Sequence, residues 1–300
     1  MKTRERWLLL GALAVNDAYV LFRDADATPY DDAYFFKRFA RHFLEHGTFS
    51  WNVSEGPVQG LTSELLQIVA TGLTALAPNH TVVATKLLLA LGLLAGAWAF
   101  ARLALRATAR ADLVIPLTLL VFGCPLLLFT MHTGMETALV PLVLVLCFRA
   151  VLEPKARDRD AFVAAGLTAL AYLCRPDVAS MPLLAFVVAH SRHRRHVLLY
   201  VASLAALLGA LLLSFRLYYG TALPLPFYVK TFGFAPQDEA FRALAASDKL
   251  VHFATFSAFA APLLLFARPR GDARSLGLLL ASAAFVGYHA LATEEIMGYR

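Results

Sequence analysis

Long apolar runs separated by short polar segments dominate the chain, and their periodicity is helical. A helix needs about twenty residues to cross a bilayer, and several of these runs are shorter than that. The pattern predicts an all-α protein built as a polytopic membrane helical bundle. The predicted helices cover residues 7–23, 62–77, 81–105, 112–131, 136–152, 161–175, 178–190, 196–219, 250–267 and 275–293.

The main polar stretch of the N-terminal half, residues 29–62, contains one amphipathic segment. Its apolar positions recur at spacings of three and four, its basic residues fall on other faces, and Gly47 ends it. The segment has too many charges to cross a membrane. It therefore predicts a juxtamembrane helix that lies in the plane of the lipid headgroups. The apolar stripe consists of Phe36, Phe39, Ala40, Phe43 and Leu44.

The composition indicates an integral membrane protein. Of the 300 residues, 59% are hydrophobic and only 16% are charged, and the mean hydropathy is +0.62. A typical soluble domain is less hydrophobic and more highly charged. The net charge of +6 comes largely from basic residues in short loops, which set orientation. No nucleic-acid motif is present. The three cysteines lie far apart without metal-ligand spacing, and we interpret them as packing residues.

The positions of the basic clusters predict which loops are cytoplasmic. Inside and outside alternate cleanly only if residues 62–105 cross the membrane once. We therefore assign the crossing to 81–105 and treat 62–77 as a juxtamembrane or re-entrant helix. The result is nine spans and a cytoplasmic N-terminus. The predicted outer loops are 24–80, 131–136, 175–178 and 220–249, with large loops at 24–80 and 220–249.

Two adjacent carboxylates, Asp31 and Asp32, stand between the first apolar run and the amphipathic segment. A carboxylate pair at the mouth of a membrane domain suits a general base or a cation ligand, because burial and a like-charged neighbour both raise a carboxyl pKa. The alternative is structural: Asp31 caps the helix, and Asp32 complements its dipole.

Three further residues have both a functional and a structural interpretation. Arg175 lies in an Arg-Pro-Asp segment between two short apolar runs, where a charge usually faces a cavity or a partner. Lys230, early in the loop after 196–219, is either a functional cation or an interfacial lysine that snorkels. His132 precedes Gly134 at an outer helix junction, where a lone histidine is more often structural.

Several segments together resemble one family. Residues 31–63, DDAYFFKRFARHFLEHGTFSWNVSEGPVQGLTS, resemble the first outer loop of polyprenyl-phosphate-dependent membrane glycosyltransferases of the C-type superfold, especially the bacterial terminal arabinofuranosyltransferase-like family. TGMET at 133–137, RPD at 175–177, LYYGTALPLPFYVK at 217–230 and MGYR at 297–300 agree in order. The chain departs from the family at Gln59, where Glu is usual, and at Leu61, where Tyr is usual.

The resemblance implies a single transmembrane catalytic domain over 1–300, followed in the family by further C-terminal spans, so that this chain looks truncated. It implies transfer of a sugar, arabinofuranose or another, from a polyprenyl phosphate to a glycan, lipid or protein hydroxyl at the outer face of the cytoplasmic membrane, with inversion. In that scheme Asp31 is the base and Asp32 its alternate or orienting partner. Candidates for the donor phosphate are Arg38, Arg41, Arg175, Tyr228 and Lys230.

Acceptor binding or positioning falls to Glu55, Gln59, His132 and Glu136. No metal site is assigned, although the two aspartates could hold a divalent cation through oxygen ligands. Two other classes of function stay open. A transporter or flippase of a lipid-linked sugar suits bundled spans with buried charges but predicts inverted repeats, which are not evident. A non-catalytic subunit of an envelope-synthesis complex needs no carboxylate pair.

Overall fold

A computed structural model describes residues 3–23, 32–108, 111–123, 125–152, 157–232 and 280. All regular structure in these residues is helical, with no strand, as the apolar periodicity predicts. The helices are α1 (Thr3–Arg23), α2 (Asp32–His46), α3 (Glu64–Leu76), α4 (Thr81–Thr108), α5 (Ala111–Phe122), α6 (Pro125–His132), α7 (Val140–Val151), α8 (Asp158–Cys174), α9 (Ser180–Ala189), α10 (Arg194–Tyr219) and α11 (Leu225–Phe232). Short 3₁₀ turns cover Val53–Glu55, Glu136–Ala138 and Pro176–Ala179.

Two of the described helices are long and apolar enough to cross a membrane, Thr81–Arg106 within α4 and Arg194–Tyr219. They coincide with the predicted spans 81–105 and 196–219. The predicted span 112–131 is instead divided at Gly123, whose amide closes the end of α5 on the Leu119 carbonyl (2.8 Å). Pro125 then begins α6, since proline suits the first position of a helix. The predicted spans 250–267 and 275–293 lie outside the described residues, apart from residue 280.

Helix α4 packs against α1, α3, α5 and α7 and forms the centre of the larger hydrophobic core. Gly96 permits the close approach of α7: a Cβ there would lie 2.9 Å from the Phe122 ring and 3.2 Å from the Leu142 backbone. A side chain at this position would have to push the two helices apart. The small residue therefore sets the distance between α4 and α7.

Helices α7, α8, α9 and α10 form a second packed group. Tyr200 of α10 stacks on Phe186 of α9 (4.0 Å between ring centroids), and its hydroxyl lies 2.9 Å from the Thr168 hydroxyl of α8. Most of α10 is nevertheless uncovered, with Leu213 and Leu217 59% and 78% exposed. A long apolar helix with an open leucine face is typical of a surface that meets lipid.

The apolar stripe of α2 is covered by protein. Phe36 and Phe39 are each only 4% exposed, and α2 packs against α3. The stripe is covered because α3 supplies an apolar partner that the sequence pattern alone did not identify. The exception is Leu44 at the far end, which is 46% exposed. The basic side of α2 consequently faces away from the protein interior.

The predicted outer loops meet at one end of the described bundle. The first loop is hydrogen-bonded to the turn at 133–137, to the end of α8 and to the end of α10. At the start of α10, Arg195 instead pairs with Asp158 at the start of α8 (2.6 Å). Arg195 and Asp158 thus lie at the opposite ends of α10 and α8 from the residues that contact the first loop.

Candidate functional site

Glu136 is the most deeply buried carboxylate among the described residues of the predicted outer loops, at 2% exposure. It begins a 3₁₀ turn between α6 and α7, and its Oε1 accepts hydrogen bonds from Thr62 Oγ1 (3.3 Å) and Arg175 Nη1 (3.4 Å). Burial raises the pKa of Glu136 above its usual range, although the Arg175 guanidinium offsets part of the rise. The charged form therefore depends on Arg175.

Arg175 directly follows α8 and holds two carboxylates. Its Nε and Nη2 donate to the two carboxylate oxygens of Asp177 (3.2 and 3.3 Å), while Nη1 reaches Glu136 and also the Thr137 hydroxyl (3.5 Å). The rigid planar fork of a guanidinium suits such a two-sided role. Because two protein carboxylates already meet its charge, this geometry favours a positioning role for Arg175 over direct binding of a donor phosphate.

Gly134 connects this centre to the start of α2. Its φ of +75° lies in the left-handed region, and a Cβ built on it would come within 3.0 Å of the Ala33 Cβ. Ala33 is itself buried and directly follows Asp32, the first residue of α2. The backbone at Asp32 therefore lies beside the turn that carries Glu136. Asp31, and the side chain of Asp32, lie outside what the structure describes.

The other end of the 31–63 block is tied to the same place. Ser63 caps α3 by accepting a hydrogen bond from the Leu66 amide (3.2 Å), and its hydroxyl donates to the Leu173 carbonyl near the end of α8 (3.5 Å). The neighbouring Thr62 binds Glu136, as described above. Two adjacent hydroxyls thus hold the end of the first loop against both the 133–137 turn and the end of α8.

A second carboxylate, Glu64, is half-buried in the first turn of α3. It accepts hydrogen bonds from Gln59 Nε2 (3.1 Å) and from the Tyr219 hydroxyl at the end of α10 (3.3 Å). Burial raises the pKa of Glu64, and these two donors lower it in part. No sequence pattern singled out Glu64, because an acidic residue in the first turn of a helix is explained by the helix dipole.

Buried polar atoms surround this second carboxylate. Gln59 is only 4% exposed, and its Oε1, like the Tyr172 hydroxyl, is buried without a hydrogen-bond partner among the described residues. Tyr172 of α8 lies within electrostatic reach of both Glu64 and Tyr228. Gln59, a predicted acceptor residue of the first loop, thus lies next to α11 and binds Glu64. Neither Glu64 nor Tyr172 was a predicted site residue.

The segment 217–230 lies directly on the first loop. The Leu225 amide donates to the Gln59 carbonyl (2.8 Å), and the Phe49 amide donates to the Tyr218 hydroxyl (3.0 Å). Tyr228 is half-buried in α11. Lys230 follows two residues later, and its side chain is not among those that the structure describes. Of the predicted phosphate-binding residues, these two belong to the segment that covers Gln59.

Arg38 and Arg41 lie on the outward side of α2. The Arg38 guanidinium stacks on the Trp51 ring (4.1 Å) and donates to the Trp51 carbonyl (2.9 Å), whereas Arg41 pairs with Glu45 (2.7 Å). Glu55 is exposed and accepts from the Asn52 amide (2.8 Å). These residues therefore form a surface of their own, along the outward side of α2 and the segment 51–55.

His132 ends α6 and is half-buried one residue before Thr133. No three His, Cys, Asp or Glu side chains of the described residues come together as ligands for a metal ion. Asp31 and the side chain of Asp32, the predicted ligands of a divalent cation, lie outside the described residues.

The four segments 31–63, 133–137, 175–177 and 217–230 are therefore connected by direct contacts, each with at least one of the others. Comparison of the chain with models of known families, with curated proteins and with solved structures found no match.

Proposed function

We propose that the protein is a membrane glycosyltransferase that moves a sugar from a polyprenyl phosphate to an acceptor hydroxyl at the outer face of the cytoplasmic membrane. The observation that carries the proposal is the contact among four segments that lie far apart in sequence. Thr62 binds Glu136, and Glu136 binds Arg175. The Leu225 amide donates to the Gln59 carbonyl and so joins the fourth segment to the first. The resemblance to the glycosyltransferases depends on these same segments.

The chemistry requires a base and a cationic site. The acceptor oxygen attacks the anomeric carbon and loses its proton to Asp31 or Asp32. The bond from the anomeric carbon to the phosphate oxygen breaks, and the polyprenyl phosphate leaves with one additional negative charge. A single displacement of this kind inverts the anomeric configuration.

Lys230 and Tyr228 are the proposed ligands of the departing phosphate, since Arg175 is shared by Asp177 and Glu136. Arg175 then acts by holding the 133–137 turn against the end of α8. Gln59 and Glu136 support the first loop, which carries the proposed base. Glu55 and His132 remain proposed acceptor-positioning residues at its edge.

The proposed location follows from the two long apolar helices and the open leucine face of α10. In this arrangement α4 and α10 cross the membrane with other helices of the nine proposed spans. The first loop and the segment after α10 then share the outer side, where a lipid-linked donor presents its phosphate at the headgroup level.

The direct test is transfer by the full chain in lipid nanodiscs, with radiolabelled polyprenyl-phosphate arabinofuranose and mannose as donors. We expect a labelled product with one donor, loss of product in Asp31→Ala or Asp32→Ala, and a raised donor KM in Lys230→Ala. Asp158→Ala, at the pair with Arg195, is the matched control and should keep wild-type turnover.

Three results would contradict the proposal. Wild-type turnover in both aspartate variants would remove the assigned base. Movement of the labelled donor across the membrane without transfer would assign the chain to transport, and neither transfer nor movement would favour a non-catalytic subunit.

A further inference from the structure

The outward side of α2 carries an open depression of about 490 Å³ that the proposed reaction does not use. We call it the α2 depression. Its walls contain three cations, a histidine and one carboxylate, so they favour an anionic ligand over a neutral or cationic one. The residues that line it are Tyr34, Lys37, Arg38, Arg41, His42 and Glu45.

The central guanidinium of the α2 depression is held in place. Arg38 lies over the Trp51 ring (4.1 Å to the ring centroid), and its Nε and Nη2 donate to the Trp51 carbonyl and to Asn52 Oδ1 (2.9 and 3.3 Å). A guanidinium has five N–H donors, so donors remain for a ligand. Because the side chain is already ordered, binding an anion costs less conformational entropy than it would for a free arginine.

The other two cations are accessible. The Arg41 side chain is 67% exposed, and its pair with Glu45 is a surface ion pair, which contributes little and is easily exchanged. Lys37 has no carboxylate partner among the side chains that the structure describes. A bound anion can therefore gain both charges without breaking a buried interaction.

A short chain of contacts joins the α2 depression to the C-terminal end of α10. His42 Nδ1 lies 2.9 Å from the carbonyl oxygen of Ser50, and the preceding residue, Phe49, donates its amide to the Tyr218 hydroxyl (3.0 Å). The Phe49 ring also stacks on Phe43 of α2 and meets the Tyr218 ring at its edge (4.2 and 6.4 Å between centroids). Only the segment 49–50 therefore separates this part of the depression from α10.

This end of α10 has an uncovered apolar surface. Leu213 and Leu217 are 59% and 78% exposed, and the adjacent Tyr218 is 40% exposed. Tyrosine and tryptophan concentrate where a membrane meets water, and Tyr34 and Trp51 lie at the α2 depression itself. With α10 crossing the membrane as proposed, the depression lies at the level of the lipid headgroups.

The α2 helix can meet a lipid headgroup without entering the bilayer. Phe36 and Phe39, which a membrane-inserting helix would present to lipid, are buried against protein. The side that α2 offers to lipid is consequently the cationic one. The acyl chains of a lipid would lie on α10, and only its phosphate would reach α2.

We propose that the α2 depression binds the phosphate of an anionic phospholipid, whose acyl chains lie along the open leucine face of α10. The phosphate meets the Arg38 guanidinium, and Lys37 and Arg41 supply the surrounding positive charge. The bound lipid holds α2, and with it the first loop, at the membrane surface. This inference rests on the proposed crossing of α10 and is independent of sugar transfer.

Native mass spectrometry of the purified full chain in a neutral detergent tests the inference without any transfer. The first molecule of phosphatidylglycerol should bind at least about fivefold more tightly than the first molecule of phosphatidylcholine, since each basic residue near a lipid surface contributes roughly that factor. Raising the salt concentration should weaken the phosphatidylglycerol complex. Equal affinity for the two lipids would overturn the inference.

Two double variants of equal charge change separate a site on α2 from general attraction between the basic chain and anionic lipid. Lys37→Glu/Arg41→Glu should weaken binding of the first phosphatidylglycerol at least about tenfold. Arg192→Glu/Arg194→Glu, at exposed positions by the start of α10, should leave it unchanged. Wild-type affinity in the α2 variant, or an equal loss in both variants, would overturn the inference.

Arg38→Lys tests the fixed guanidinium. Lysine keeps the charge but lacks the planar fork that lies over Trp51 and bonds to its carbonyl. We expect severalfold weaker binding of phosphatidylglycerol in this variant. Unchanged binding would show that charge alone attracts the lipid, and would contradict a built site.

Two competitors identify the occupant. Glycerol 3-phosphate carries a phosphate without acyl chains, and farnesyl phosphate is a short polyprenyl phosphate. Neither should displace phosphatidylglycerol at equal concentration, because the first lacks the contact with α10 and the proposed site of the donor phosphate is at Lys230 and Tyr228. Displacement by the first would identify a soluble phosphate ester, and displacement by the second would identify the sugar donor. Either result would overturn the inference.

The two proposals fail separately. Phosphatidylglycerol binding that follows the charge pattern, with no transfer of any donor sugar, would support the lipid site and contradict the transferase. Sugar transfer by a chain that does not distinguish phosphatidylglycerol from phosphatidylcholine would support the transferase and overturn the lipid site.

Discussion

Gly134 and Ala33 lie in contact across a hundred residues of sequence: a Cβ on Gly134 would be 3.0 Å from the Ala33 Cβ, and the glycine has a φ of +75°. The turn that carries Glu136 is therefore fitted against the first turn of α2, beside Asp32. Both the positive φ and the lack of a side chain are needed at Gly134, which makes this contact a sensitive point of the proposed site.

Gly134→Ala should lower the free energy of unfolding. It should also reduce the rate of sugar transfer by more than the loss of folded protein accounts for. A non-glycine residue in the left-handed region costs about 1–2 kcal/mol, and the added methyl must displace Ala33. Thermal unfolding in detergent, followed by fluorescence, measures the first effect. Gly72→Ala is the control: Gly72 lies within α3 with nothing near its Cβ, so alanine there should stabilise by about 0.5–1 kcal/mol. Equal melting temperatures for the two variants would argue against the strained turn.

Arg175→Met should destabilise strongly, because it leaves Glu136 and Asp177 without their shared cation. We expect a loss of about 3 kcal/mol, as for one partner removed from a buried pair. Glu136→Gln should cost less than about 1 kcal/mol, since the amide oxygen still accepts from Thr62.

The exposed pair at the start of α10 provides the control for Arg175. Arg195→Met removes the ion pair with Asp158. Because the Arg195 and Asp158 side chains are 83% and 49% exposed, the free energy of unfolding should change by less than about 1 kcal/mol. Similar melting temperatures for Arg175→Met and Arg195→Met would show that Arg175 does not hold the loops together.

Glu64 should make stability depend on pH. Burial raises the pKa of Glu64 above its ordinary value of 4.5, so the folded protein holds this proton more tightly than the unfolded chain. The associated stabilisation is fully present below pH 4.5 and is lost as pH rises through the folded pKa. In the wild type, the melting temperature should therefore decline as pH rises from 4.5 through the folded pKa of Glu64. Glu64→Gln should make this decline smaller.

Glu45→Gln is the matched control for Glu64, with the opposite sign. The hydrogen bond from Arg41 lowers the pKa of exposed Glu45, so its contribution is present above the ordinary value and is lost as pH falls. If Glu64→Gln leaves the pH profile of the wild type unchanged, the carboxylate is not buried as described.

Cysteine labelling should place the first loop outside. In a chain whose three native cysteines are replaced by alanine, Val53→Cys should react with a membrane-impermeant maleimide added to intact cells, because Val53 is 43% exposed in the first loop. Ser191→Cys, exposed in the loop before α10, should react only after the membrane is opened. The reverse pattern would invert the proposed topology and remove the lipid-linked donor from the site.

The sequence by itself determined the all-α class and the long helices near 81–105 and 196–219. These properties depend on the hydropathy and periodicity of contiguous residues, which the local sequence contains. It also singled out Glu136 and Arg175, although as an acceptor residue and a phosphate ligand rather than as an ion pair.

Only the tertiary structure decided which of these residues meet. The pairing of Glu136 with Arg175 across 39 positions, and of Glu64 with Tyr219 across 155, depends on how the helices pack. The same holds for the apolar stripe of α2, whose burial required α3 as a partner. Periodicity fixes the face of a helix that is apolar, but the neighbour that covers that face is chosen by packing over the whole chain.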